Sequence, residues 1–303
     1  MKEKVLIAGG SGLIGQRLTE LLIEKGYEVA HLSRSLGNSS SIKTIVWDVK
    51  NQKLDAEAIA PYKHIIHLAG AGIVDKAWTK ERKKEILESR VQSTLLLKKA
   101  ITQNSMKVLT YTSASAIGYY GMQTSDQIFK EEDVAAKDFV GNVGVAWEEA
   151  ADEVAALGIP CSKIRIGLVL TDKGGALKKM ALPIKLFVGS PLGSGNQYTP
   201  WIHIDDLCRI FIHSFENKLE GVYNAASPVE KQLNNTQLTK AIAKVLKKPC
   251  WPIKVPSFAL KILMGERANL VLTGSRVDTS KIQNTGFQYQ YKNIEQALDA
   301  IYS

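Results

Sequence analysis

The chain has 303 residues, of which 45% are hydrophobic and 23% charged, with a formal net charge of +9. This profile fits a globular protein with a sizeable core and excludes a disordered or low-complexity chain. No apolar run approaches the roughly 20 residues needed to cross a bilayer, and the start Met1-Lys2-Glu3-Lys4 has no leader-like apolar stretch.

Cys161, Cys208 and Cys250 lie far apart and form no Cys-x-x-Cys pair, so the expectation is reduced thiols and a cytoplasmic location, and the missing apolar span adds the expectation of no membrane partner. The lysines are scattered, densest at Lys76 to Lys84 and at Lys244, Lys247 and Lys248, and no helix-turn-helix, zinc or RNA-recognition pattern occurs. No nucleic-acid partner is expected.

The first element is Val5-Leu6-Ile7-Ala8, a short apolar run that reads as a buried parallel strand. It enters Gly9-Gly10-Ser11-Gly12-Leu13-Ile14-Gly15 and then an amphipathic helix to about Lys25. Strand, glycine turn and helix in that order are the signature of a dinucleotide site. Gly9 allows the turn, Gly12 admits the pyrophosphate, Gly15 lets helix and strand pack closely, and Leu13 and Ile14 complete the contact surface. The helix N-terminus offers free N–H groups and a positive dipole end to the phosphates.

A second strand, Glu28 to Ser33, ends in Ser33-Arg34-Ser35, where this kind of fold meets the adenosine ribose. An arginine there suits the 2′-phosphate of NADP(H), so Arg34, with Ser33, predicts that coenzyme. A polar loop is expected at Gly37–Ser41, then a strand at Thr44–Asp48 with Asp48 near the adenine edge. The next strand, from His64, runs into the small-residue turn Leu68-Ala69-Gly70-Ala71-Gly72, whose backbone can lie against the coenzyme. His67 reads as a packed strand residue. A helix is predicted over Trp78–Gln103, a strand over Met106–Thr112, a helix over Asp138–Leu157 and a strand over Ile159–Leu170. The alternation predicts an α/β, Rossmann-like, doubly wound parallel sheet.

Beyond it, Gly174–Gly195 reads as loop-rich, and Tyr198–Asp206 as an extended piece that caps the following helix. Gly221–Ala225 reads as a strand and Asn234–Leu246 as a helix capped by Asn234 or Asn235. The expected division is 1–170 for the coenzyme-binding part, 171–248 for an interleaved substrate lobe and 249–303 for a small C-terminal domain. His203 with Asp205 and Asp206 reads either as a proton relay or, preferably, as a packed histidine beside helix-capping aspartates.

The chain resembles the NAD(P)-dependent epimerase/dehydratase family, the extended short-chain dehydrogenases, and within it a branch with a small C-terminal domain of unknown role. The resemblance runs nearly end to end. It rests on the glycine turn, His67-Leu68-Ala69-Gly70, Glu88-Ser89-Arg90-Val91, Ser113 to Gly121, Trp147-Glu148, Gly193-Ser194-Gly195 and Pro200 to Asp206.

Catalysis in that family uses a tyrosine and a lysine four residues later, the ammonium lowering the phenol pKa. No tyrosine of this chain has a lysine four residues on. The resemblance puts Ser115 where the family's catalytic serine or threonine stands, with Tyr119 or Tyr120 as substitute phenols or as pocket walls. It puts Arg90 where relatives carry an active-site asparagine; Arg90 meets a phosphate or carboxylate of a ligand, or pairs with Glu88.

The expected function is an NADP(H)-binding oxidoreductase or epimerase acting on a small carbonyl or sugar-nucleotide-like substrate with non-standard acid–base groups. The alternative is a catalytically silent or redox-sensing NADP(H)-binding protein. A homodimer through the two long helices, with Leu95, Leu96, Val145 and Ala155 as a shared face, is a further expectation.

Overall fold

The computed structural model describes residues 3–36 and 42–303, so the loop expected at Gly37–Ser41 lies outside the described residues. Its main sheet has eight strands in the order Gly221–Ala225, Cys161–Ile166, Thr110–Ala116, His64–His67, Lys4–Ala8, Glu28–Ser33, Lys43–Asp48 and Lys53–Leu54. All neighbours are parallel except the last, short return strand.

The first strand shows why the sheet must be covered on both sides. Val5 and Ile7 enter one apolar cluster with Leu18, Leu22 and Phe211, whereas Leu6 and Ala8 enter a second with Leu97, Tyr111 and Val154. Alternate side chains point to opposite faces. The helices Leu13–Glu24 and Ile204–Glu216 therefore lie on one face, and Lys80–Gln103 and Phe139–Ala155 on the other.

Several boundaries differ from the sequence expectation. The helix expected from Trp78 begins at Lys80, after Thr79 caps the Arg82 N–H. The strand expected at Met106–Thr112 runs from Thr110 to Ala116, which carries Ser113 and Ser115 inside the sheet. The stretch Ile159–Leu170 is two strands: Cys161–Ile166 stays in the main sheet, while Leu168–Leu170 leaves it to pair with Trp201–His203. The break falls at Gly167, where a Cβ would stand 2.5 Å from the Pro200 carbonyl oxygen.

The region expected to be loop-rich holds a helix, Gly175–Lys185, despite Pro183. Its Leu177, Ala181 and Ile184 recur at helical spacing and are buried. The following helix, Asn235–Val245, is capped by Asn234 in a capping box with Gln237, while the Asn235 side chain accepts the Leu192 N–H at 2.7 Å.

The C-terminal part is tied to both earlier regions. Ile294–Tyr302 packs with the Gly175–Lys185 and Asn235–Val245 helices in a third cluster. Arg276–Val277 adds to Ile128–Phe129, and Asp206, 1% exposed, accepts the N–H groups of Gln290 and Tyr291 at 2.8 and 3.0 Å.

Candidate functional site

The parallel register brings Gly9, Ser33, Leu68 and Tyr119 to one edge of the sheet, the edge where strands of such folds end. Gly9 has φ +84°, and a Cβ on it would lie 2.9 Å from the Ala69 nitrogen. A Cβ on Gly15 would stand 2.6 Å from the Gly9 oxygen and the Gly10 Cα. Gly12 is different: a Cβ there would meet only the Gly9 oxygen, at 3.3 Å. The helix that Gly12 opens has no side-chain cap, so no capping side chain takes its first N–H groups, an arrangement that suits an anion such as pyrophosphate. Gly10 carries a role that the sequence reading passed over. The His31 ring, anchored by Thr19 at 2.7 Å, occupies the place of a Gly10 side chain.

Arg34 follows directly on Ser33, is exposed, and makes no hydrogen bond or ion pair with the other described residues. Asp48 is committed locally: its two carboxylate oxygens accept the backbone N–H and the side-chain amide of Asn51 at 3.0 and 2.6 Å. These bonds hold its carboxyl below the usual range.

The small-residue turn is gripped by the Lys80–Gln103 helix. Ser89 accepts the Ala71 N–H at 2.9 Å, Arg90 donates to the Ala71 and Ile86 carbonyls at 3.1 and 2.8 Å, and Arg82 donates to the Gly72 carbonyl at 2.5 Å. Arg90 does not pair with Glu88, which lies 3.7 Å from Lys84 instead. Its guanidinium packs on Trp147 at 4.7 Å, its Nε has no hydrogen-bond partner among the described residues, and burial followed by the Arg82 charge lowers its pKa to about 10. A Cβ on Gly70 would lie 3.0 Å from this guanidinium, so Arg90 sits directly beneath the turn.

Where the family would hold its tyrosine and lysine, the Phe139–Ala155 helix supplies a carboxylate. Glu148 receives a two-pronged ion pair from Arg165, both contacts at 2.8 Å, with side-chain exposures of 8% and 2%. Ser115 donates to the same carboxylate at 2.6 Å. The third guanidinium nitrogen donates to the Tyr120 hydroxyl at 2.9 Å, and that hydroxyl donates to Asn224 at 2.8 Å. Burial pushes the Tyr120 phenol up to about 12.

Tyr119 is placed otherwise. It is half-buried, its ring lies 3.4 Å from the Arg165 guanidinium carbon, and its hydroxyl has no hydrogen bond among the described residues. A Cβ on Gly144 would stand 3.2 Å from Tyr119 Cα and Cβ, so the helix is bare where the tyrosine crosses it. Glu148 and Arg165 are the residues missed by site reasoning. The available signal was an arginine between Ile164 and Ile166 in a strand of a buried sheet, which demands a facing carboxylate.

The histidines take structural places. His67 is fully buried, bonded to Ser93 at 2.8 Å, and burial followed by the Arg90 charge lowers its pKa to about 3. His203 caps its helix by accepting the Asp205 N–H at 3.1 Å, while Asp205 pairs with Arg17 at 2.6 Å. Burial lowers the His203 pKa to about 4.

A doubly wound sheet with an uncapped helix start at a glycine turn defines a dinucleotide-binding α/β protein. The chain belongs to the NAD-dependent epimerase/dehydratase family. Residues 5–143 match that family's model, and residues 255–301 match a domain of unknown function, DUF1731. The chain is 33% identical to epimerase family protein SDR39U1 of Mus musculus over 298 residues, which span 97% of this chain and 98% of that protein. It is 30% identical to epimerase family protein YfhF of Bacillus subtilis over 299 residues, 98% of this chain and 97% of that protein. Human SDR39U1 (isoform 2), solved with NADPH, superposes with a TM-score of 0.86 at 31% identity, with 99% of each chain covered. A nucleoside-diphosphate sugar epimerase of Corynebacterium glutamicum superposes with a TM-score of 0.80 at 27% identity, covering all of this chain and 58% of that one.

Proposed function

We propose that this protein binds NADP(H) and acts as an oxidoreductase or epimerase on a small carbonyl or sugar-nucleotide-like substrate. The observation that carries the reading is the exposed Arg34 at the end of the second strand, with no hydrogen bond or ion pair among the described residues, beside a relative solved with NADPH. In this reading Arg34 and Ser33 take the 2′-phosphate, the first turn at Gly12, Leu13 and Ile14 takes the pyrophosphate, and Leu68, Ala69 and Gly70 carry the ring end of the coenzyme over Arg90. Asp48 borders the adenine through the turn that it holds. When bound, the nicotinamide supplies or accepts hydride.

Of the three candidate catalytic residues, Tyr119 has the free hydroxyl and is the proton-exchanging group we assign. Ser115 and Tyr120 hold the Glu148–Arg165 pair against which Tyr119 rests. The division into 1–170, 171–248 and 249–303, with the middle part as substrate lobe, belongs to the same reading, as do a cytoplasmic location and a homodimer. Leu96, at 2% exposure, packs into the core and cannot serve the dimer face; Leu95, Val145 and Ala155 stay half-buried.

A second reading, a silent or redox-sensing coenzyme binder, is favoured by one observation: Glu148 and Arg165 already consume the polar groups of Ser115 and Tyr120. The test is a titration of NADPH and NADH, then a carbonyl-substrate screen with wild type and Tyr119→Phe. NADPH should bind tighter, and Tyr119→Phe should keep NADPH affinity while losing turnover by ~10²–10⁴-fold. Equal affinity for the two coenzymes removes the NADP(H) reading. Tight NADPH binding with no substrate able to oxidise it leaves the silent binder.

A further inference from the structure

The C-terminal side of the molecule carries a surface that the coenzyme site does not use. Residues 175–190 contain three lysines and residues 240–264 contain six, and neither segment contains an aspartate or glutamate. None of the nine forms an ion pair among the described residues. The two segments touch: Trp251 donates its backbone N–H to Gly189 at 2.9 Å and its indole N–H to Phe187 at 2.7 Å, and the Lys248 ammonium lies 4.1 Å from the Phe187 ring centroid.

Large apolar side chains stand out from this cationic ground. Val188 is 62% exposed, Ile253 75%, Phe258 67%, Ile262 82% and Leu263 79%. The short helix Ser257–Met264 buries only Leu260. Phe187 is held outward, 54% exposed, at φ +64°, a conformation that large residues rarely adopt. So much exposed apolar area along two touching segments marks a binding surface.

We infer that this face docks on the surface of an anionic lipid bilayer. The apolar side chains enter the headgroup–acyl boundary and the lysines meet lipid phosphates and carboxylates, the pairing that peripheral membrane proteins use. Charge decides between the occupants. A two-fold contact with a second copy would set lysines against lysines with no acidic partner in either segment. A nucleic acid would leave the aliphatic side chains in water. No helix among the described residues is long and apolar enough to cross a membrane, so the contact is with the surface only. The proposal departs from the sequence expectation of no membrane partner, which rested on the missing apolar span.

The test is flotation of the full chain with vesicles of phosphatidylcholine alone or with about 30 mol% phosphatidylglycerol. Binding to the anionic vesicles should exceed binding to the neutral ones at least about tenfold and should fall when salt is raised to about 0.5 M. Two variants locate the contact, F258S/I262S/L263S and K247E/K248E; all five side chains lie outside the apolar clusters, and unchanged circular dichroism and NADPH titration report an intact fold. Each variant should lower anionic-vesicle binding about tenfold or more. Equal weak binding to both vesicle types overturns the inference, as does binding that neither variant reduces. A dimer in sedimentation that the triple variant abolishes, with no vesicle binding, assigns the face to a second copy and also overturns it.

Discussion

The glycine turn and the Arg165 cluster lie at the same edge of one sheet and answer to different constraints. At the turn, backbone does the work: Gly9 and Gly15 are excluded from carrying a Cβ by atoms within a few residues or on the adjacent strand end, and Gly12 leaves a space empty. In the cluster, side chains from the Thr110–Ala116 strand, the Phe139–Ala155 helix and the Cys161–Ile166 strand bond one another, and Arg165 also donates to the Tyr120 hydroxyl and the Glu131 carbonyl. The turn keeps its form through backbone packing, whereas the cluster is built around a buried ion pair between side chains. Binding geometry made of backbone survives side-chain change; an acid–base pair does not.

The sharpest way to break the comparison is to unbalance the ion pair. Arg165→Leu or Glu148→Leu leaves one charge buried and alone, and each should cost about 3–5 kcal/mol of stability. The double variant should recover a large part of that loss. Urea denaturation of the three proteins measures it, and additive losses would mean that the residues act independently.

The turn should respond in the opposite way. Gly12→Val makes one close contact, 3.3 Å to the Gly9 oxygen at the helix start, so it should cost only about 1 kcal/mol of stability but should weaken NADPH binding about tenfold to a hundredfold, roughly 1.4–2.8 kcal/mol. Arg34→Ala should lower NADPH affinity by a similar ~1.5–3 kcal/mol while leaving NADH unchanged. Isothermal titration beside thermal melts separates the two outcomes.

Acid provides a graded test, spread over several pH units. His67 and His203 are held neutral, with pKa values of about 3 and about 4 against an ordinary 6.5. Between 6.5 and those values the unfolded chain binds more protons than the folded one. Stability is therefore fully present above 6.5 and falls with acidification, by up to about 1.4 kcal/mol per pH unit for each histidine. His67→Phe should flatten the slope of denaturation free energy below pH 6.5.

The smallest effect is expected at Gly144→Ala. Its methyl group would press on Tyr119 at 3.2 Å, and about 1 kcal/mol of destabilisation is the expected cost. A change in Tyr119 fluorescence or reactivity should accompany it.

Much of this protein was decided locally. The run Val5 to Ala8, the turn Gly9 to Gly15 and the helix after it are features of adjacent residues, so pattern and spacing were enough to predict a doubly wound parallel sheet and its first crossover, though not every strand boundary. The preference for packed over catalytic histidines followed from their apolar strand neighbours in the same way. Other features depended on distant partners. The helix at Gly175–Lys185 forms because Leu177, Ala181 and Ile184 find a core built by residues 238–298, which no local signal reports past Pro183 and the glycines.

The site divides along the same line. The family resemblance put Ser115 and Tyr120 forward as acid–base groups, yet their hydroxyls are taken by Glu148 and Arg165, 33 and 45 residues away. Hydrogen-bond satisfaction across strands and helices depends on three-dimensional register, so only the tertiary structure distinguished the free phenol of Tyr119 from its committed neighbour.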